Sequence, residues 1–292
     1  MYLDHFKLEE FPFTLTPDTA FFMSREGYHD GLNVLLVALR SGEGFLKVVG
    51  EVGTGKTILC RALLKVLGDE FATAYLPNPY LRASSLLYSL ADELSIEYPK
   101  RATQHQLLRR LTDGLLALHS AGKRVVLCMD EAQAVPLATL ETLRLLTNLE
   151  TEKRKLLQVV LFGQPELDRV LNVPSIRQLR QRITFSYTLH PLSAPALMQY
   201  VNHRLMVAGC DDVGLFTRRA LAALYDGSEG IPRLVNILAH KALMAAYGQG
   251  MHCVDRAQMR AAIRDTEDAR SLQIRPWDRV STRRMRWLAG AA

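Results

Sequence analysis

Apolar residues follow two periods along this chain, and the change of period divides it. Five short apolar runs read as buried strands: "FLKVVG" (45–50), "FATAYLP" (71–77), "RVVLCMDE" (124–131), "LLQVVLF" (156–162) and "ITFSYTL" (183–189). Between them a helical period begins at 31–40 and returns at 58–67, 83–95, 103–120 and from Pro136 to Glu150, with Pro136 near the helix start. Strands alternating with helices predict an α/β fold with a mostly parallel sheet, helices covering both faces. After Pro195 the strand signals stop. Residues 195–208, 217–226, 232–247 and 255–268 then read as helices, with Asp255 as the N-cap of the last. A sheet domain is therefore followed by a small all-helical one. The first 30 residues hold Phe6, Phe11, Phe13, Phe21 and Phe22 among Pro12 and Pro17, with no helical period, and read as an irregular packing segment.

Composition narrows the picture. With 292 residues, 48% hydrophobic and 23% charged, the chain is globular and long enough for about two domains. The formal net charge of +6 is uneven: from Ala269 onward there are six arginines and one acid, so the preceding 268 residues are close to neutral. That balance gives little reason to expect nucleic acid as a partner of the body. The N-terminus has no signal-peptide pattern, and no apolar run approaches the ~18 residues that span a bilayer, so a cytoplasmic protein is expected. Cys60, Cys128, Cys210 and Cys253 are far apart without a C-x-x-C pair, and read as small apolar side chains rather than ligands or disulfides.

The chemistry lies at the ends of the strands. Gly50, Glu51, Val52, Gly53, Thr54, Gly55, Lys56 and Thr57 fit G-x-x-x-x-G-K-[ST], after a strand and before a helix. Such a loop wraps a phosphate with backbone N–H groups and a helix N-terminus. Lys56 is expected to reach the β- and γ-phosphates of ATP, and the Thr57 hydroxyl to ligate Mg²⁺. The strand at 124–131 delivers Asp130 for Mg²⁺ and Glu131 to polarise the attacking water. The next strand ends at Gly163-Gln164, where Gln164 would position that water if its strand neighbours the other two. Pro232 suits a first helical position, and Arg233 behind it opposes the helix dipole, a placement that fits contact with an anion such as a γ-phosphate.

Together these residues resemble the AAA+ ATPases, with Lys56, Asp130, Glu131, Gln164 and Arg233 similar to that family's Walker A lysine, Walker B acids and two sensors. Within it, "FPFTLTPD", "GEVGTGKT", "DEAQ", "LFGQPEL", "LRQRI" and "GIPRLVN", in this order, resemble the ExeA/GspA and MshM proteins of type II secretion and MSHA-type pilus biogenesis. The resemblance covers about residues 1–268 and is closer to the shorter MshM type. It implies a P-loop NTPase fold of AAA+ type followed by a helical lid. Its domains would be a segment at 1–30 packing on the nucleotide domain, the ATPase domain at 31–192, a lid at 193–268 and a basic tail at 269–292. It also implies a nucleotide-dependent homo-oligomeric ring, such as a hexamer, working with pilus or secretion assembly proteins at the inner membrane. The basic tail, with Trp277 and Trp287, is a candidate for peripheral membrane contact. In such a ring one protomer's arginine completes the next protomer's site, and here it would be Arg180 or Arg182; spacing does not choose between them. The competing reading is a DNA-associated AAA+ ATPase of the transposition-helper or replication-initiator kind.

Overall fold

The structure is a computed structural model that describes residues 2–15, 28–77, 80–151, 154–210 and 214–270. It divides into two compact units, Thr16–Pro191 and Met1–Leu15 together with Leu192–Ala292.

The first unit is built on five parallel strands: β1 (Phe45–Gly50), β2 (Phe71–Leu76), β3 (Arg124–Met129), β4 (Gln158–Gly163) and β5 (Ile183–Leu189). Their order is β2-β3-β4-β1-β5. The apolar runs are continuous because both faces are covered. On β3, Val125, Leu127 and Met129 join one core while Val126 and Cys128 join the other, and β1 and β4 alternate in the same way. Helices α2 (Tyr28–Ser41) and α3 (Lys56–Val66) cover one face. The other is covered by α4 (Ala83–Glu93), α5 (Gln104–Ser120), α6 (Leu137–Leu146), α7 (Glu166–Leu171) and α8 (Arg177–Arg180). The last two lie where the periodicity predicted no helix. Each is only a turn or two long, too short for an apolar stripe to repeat.

The second unit holds α9 (Ala194–Val207), α10 (Arg218–Ser228), α11 (Pro232–Gly248) and α12 (Arg256–Arg264), close to the expected helices. Asp255 accepts a bond from Thr217 Oγ1 at 2.6 Å, and its backbone N–H donates to Gln258 Oε1 at 3.0 Å, half of a capping box. The Thr217 bond and the Arg256 backbone N–H hold the Asp255 carboxyl below its ordinary range.

The N-terminal segment corrects the expectation. Residues 2–15 belong to the helical unit, not the nucleotide unit, and they open with a short helix, α1 (Tyr2–Phe6). Tyr2, Phe6, Leu8 and Phe13 are buried in one core with Leu197, Val201 and Leu238. The reason is partly polar. Arg204 is only 4% exposed, and a buried guanidinium must find acceptors. Pro12 O accepts from its Nε at 2.5 Å and Thr14 Oγ1 from its Nη2 at 3.4 Å. Asn236 Nδ2 also donates to Thr14 O at 3.2 Å. The aromatic run thus completes the core of the four helices. The basic tail beyond Arg270 lies outside the described residues.

Candidate functional site

Strand order brings the motifs together. β4 pairs with β1 on one side and β3 on the other, so the loops after all three strands share one edge of the sheet. That is the edge at which parallel sheets bind ligands. It meets the condition set for Gln164, whose strand lies between the other two.

The loop from Gly50 leads directly into α3. Its cap, Gly55, has φ 98 and offers no side-chain cap to the first turn of α3. A β-carbon at Gly55 would collide with the Tyr28 hydroxyl, which donates to Thr54 O. Glycine thus gives the turn its positive φ and leaves room for Tyr28 against the loop, while the start of α3 is the kind of helix N-terminus at which anions bind. Lys56 is 5% exposed, and its Nζ donates to the carbonyls of Gly50 at 2.8 Å and Glu51 at 2.9 Å. Burial lowers its pKa, while Glu131 and Asp130 pull the other way. A buried ammonium facing carbonyls is a cation whose bonds a phosphate can replace.

Thr57 Oγ1 donates to Asp130 Oδ2 at 2.6 Å, across 73 residues of sequence. These are hard oxygen donors on neighbouring elements, the set that Mg²⁺ uses beside a phosphate. The site therefore fits Mg²⁺ with a nucleoside triphosphate. Asp130 itself is 4% exposed, and its Oδ1 accepts from the Glu131 N–H at 2.9 Å.

Glu131 sits in the left-handed region, with φ 50 and ψ 37. Lys7, Ser95 and Glu229 share positive φ, but each lies at a helix end, where that geometry is ordinary. Glu131 instead lies two residues past β3 and opens the turn Ala132–Ala134, at a cost on the order of 1 kcal/mol. Its Oε2 accepts from Gln164 Nε2 at 3.0 Å and from Gln133 Nε2 at 2.6 Å. Gln133 was not singled out from sequence. It appeared within "DEAQ", but the bend of the turn Ala132–Ala134 that follows β3 is not legible from spacing.

The two arginines differ. Arg182 is half-buried, and its Nη1 donates to Arg144 O at 3.3 Å and Thr147 Oγ1 at 3.4 Å at the end of α6. Arg180 is exposed, with one bond to Asn172 Oδ1 at 2.6 Å. Both precede Ile183, which pairs with Phe45 at the opposite end of β1 from Gly50. Five residues at ~3.3 Å each set them roughly 17 Å from their own loop along the sheet, beyond one side chain's reach. Arg233 is exposed in the first turn of α11, in the helical unit.

The AAA domain family matches residues 39–171. General secretion pathway protein A of Aeromonas hydrophila is 46% identical over 252 residues, which is 86% of this chain and 46% of that protein. The chain thus spans about half the length of the curated relative it matches. Among solved structures, Cdc6p of Pyrobaculum aerophilum aligns with a TM-score of 0.65 at 20% identity, over 85% of this chain and 71% of that one. The Aeropyrum pernix ORC2 protein, in ADPNP–ADP complexes, aligns at 0.62 and 18%, over 87% and 72%. The Thermotoga maritima RuvB Holliday junction branch migration motor follows at 0.56 and 15%, over 91% and 76%. At such identities these likenesses show the fold alone. Similarity to the secretion protein extends well beyond the loop motif that unrelated nucleotide-binding proteins share, and with it the chain belongs to the ExeA/GspA family of AAA+ ATPases.

Proposed function

We propose that this protein binds ATP with Mg²⁺ and hydrolyses it to ADP and phosphate, as an assembly factor of a bacterial type II secretion or MSHA-like pilus machine. The observation that carries the reading is the meeting of Thr57 with Asp130 and of Glu131 with Gln164, four residues from three distant segments at one sheet edge. A phosphate-binding turn alone would require none of these pairs.

In this reading the glycine-rich loop and the start of α3 hold the phosphates, and Lys56 exchanges its carbonyl partners for phosphate oxygens. Thr57 and Asp130 would hold Mg²⁺, which when bound would neutralise phosphate charge. Glu131 draws a proton from the attacking water, and Gln164 orients that water. Arg180 rather than Arg182 is the residue offered to a neighbouring protomer, because it is exposed and Arg182 is engaged at α6. The protein works as a ring. The secretion context rests on the 46% identity to General secretion pathway protein A, and the pilus context on the motif resemblance to the MshM type.

The test is phosphate release and nucleotide binding, with Mg²⁺ and with chelator. Lys56→Ala should lose ATP binding. A wild-type protein that binds no ATP, or a Lys56→Ala protein that binds it equally well, would overturn the reading. For the cellular context, a Glu131→Gln protein that holds ATP should co-purify with secretion or pilus assembly components; co-purification with DNA alone would reverse that part.

A further inference from the structure

Resting on that ATPase reading, we infer that Gln133 is a positioning residue that holds the Glu131 carboxylate and locks it to the end of β4. Gln133 lies in the turn Ala132–Ala134 that follows Glu131. Its amide is used at both ends. Nε2 donates to Glu131 Oε2 at 2.6 Å, and Oε1 accepts the backbone N–H of Gln164 at 3.0 Å. The orientation of the amide is not ambiguous. A backbone N–H can only donate and an ionised carboxylate can only accept, so each end of Gln133 has one permitted partner.

The side chain of Gln164 closes the circuit by donating to the same Glu131 Oε2 at 3.0 Å. Two amide donors thus converge on one carboxylate oxygen. The other oxygen takes no part in this circuit and is the one left to accept from water. The Glu131 carboxylate thus takes two hydrogen bonds, and a third between Gln133 and Gln164 closes the circuit, a setting that helps hold its left-handed backbone.

A second, independent observation supports the arrangement. Gly163 ends β4 beside Gln133. A β-carbon there would stand 2.8 Å from Leu167 Cδ2 and 3.2 Å from Gln133 Oε1. The glycine leaves the room in which the Gln133 amide lies. Because β3 and β4 are tied through this amide, a displacement of Gln164 also moves Glu131. The residue that orients the water and the group that activates it are thereby coupled.

Steady-state hydrolysis by the full chain tests this. Gln133→Met keeps the side-chain length and removes both bonds. Its kcat should fall about 10- to 10²-fold, the scale of a misplaced catalytic group, with the KM for ATP and the melting midpoint unchanged. Gln133→Glu keeps the shape but sets one carboxylate against another, and should lose more than Gln133→Met. In a Glu131→Gln background, Gln133→Met should add no further loss, because the group it positions is gone. Wild-type kcat in Gln133→Met, or full additivity in the double variant, overturns the inference while leaving the ATPase reading intact. A wild-type protein without hydrolysis, or one that Glu131→Gln does not slow, fails the ATPase reading itself, and the inference falls with it.

Discussion

The two ends of the sheet are both polar, and they use polarity differently. At the C-terminal end, Lys56, Asp130, Glu131 and Gln164 are bonded to one another or to loop carbonyls, on backbone that includes a left-handed glutamate. At the N-terminal end the polar groups are mostly basic, and they finish the structure. Arg124 donates to Leu39 O at 3.4 Å and Arg40 O at 2.5 Å, satisfying the last carbonyls of α2. The Gln158 amide, 3% exposed, donates to Leu39 O at 3.0 Å and Glu43 O at 2.8 Å. Arg40 pairs with Glu70, and Lys155 with Glu150. A cavity of about 590 Å³ lies among Arg40, Lys123, Arg124, Glu150 and Arg154. The lesson is that burial of polar groups does not mark a site. Partners do: at the N-terminal end arginine and glutamine side chains close the last carbonyls of α2, whereas at the C-terminal end carboxylates are bonded to amides and a hydroxyl that a ligand can displace.

The comparison makes different variants fail in different assays. The largest effect is expected at the single N-terminal-end residue assigned to turnover. Arg180→Ala should keep ATP binding and lose turnover by about 10³–10⁵-fold, as for other arginine fingers. It should regain part of it when mixed with Lys56→Ala protein, whose own loop is dead but whose Arg180 is intact. Hybrid oligomers that stay inactive would return Arg180 to a merely structural role. Next comes Glu131→Gln, which should hold ATP and turn over about 10²–10⁴-fold more slowly. Pre-steady-state phosphate release checks whether the chemical step is the one lost.

The remaining effects should appear in unfolding and not in turnover. Gln158→Leu strips the Leu39 and Glu43 carbonyls of a buried donor and should cost about 1–3 kcal/mol in denaturant unfolding, with activity per folded molecule unchanged. A loss of turnover in this variant would break the division between the two ends. The smallest change is at Arg40→Ala. The Arg40–Glu70 pair is exposed on both sides, and its loss should cost under about 1 kcal/mol and less still at high salt.

Most of the sheet unit was legible in sequence because its signals are local. A strand buried on both faces must be apolar at successive positions, and a phosphate loop needs its glycines and lysine within eight residues. Each strand was located to within two residues at either end. The assignment of residues 2–15 was not legible, and residues 16–27 of that segment, with Phe21 and Phe22, lie outside the described residues. Phe6 and Phe13 announce burial, but which core they enter is decided by Arg204 and Asn236, about two hundred residues away. Short α7 and α8 were missed for lack of length, not of pattern.

The sequence by itself therefore determined the classes of element, the switch from an alternating to an all-helical half, and the residue types at each strand end. Those follow from which surfaces must be dry and from the backbone freedom a phosphate loop demands. Only the tertiary structure decided which strand lies between which. That order set Gln164 beside Glu131, gave Gln133 two partners and engaged Arg182 at α6 while leaving Arg180 exposed. The physical reason is range. A turn or an apolar run is encoded over a few residues, but a hydrogen bond across 33 or 73 residues exists only once packing has brought its two ends within 3 Å.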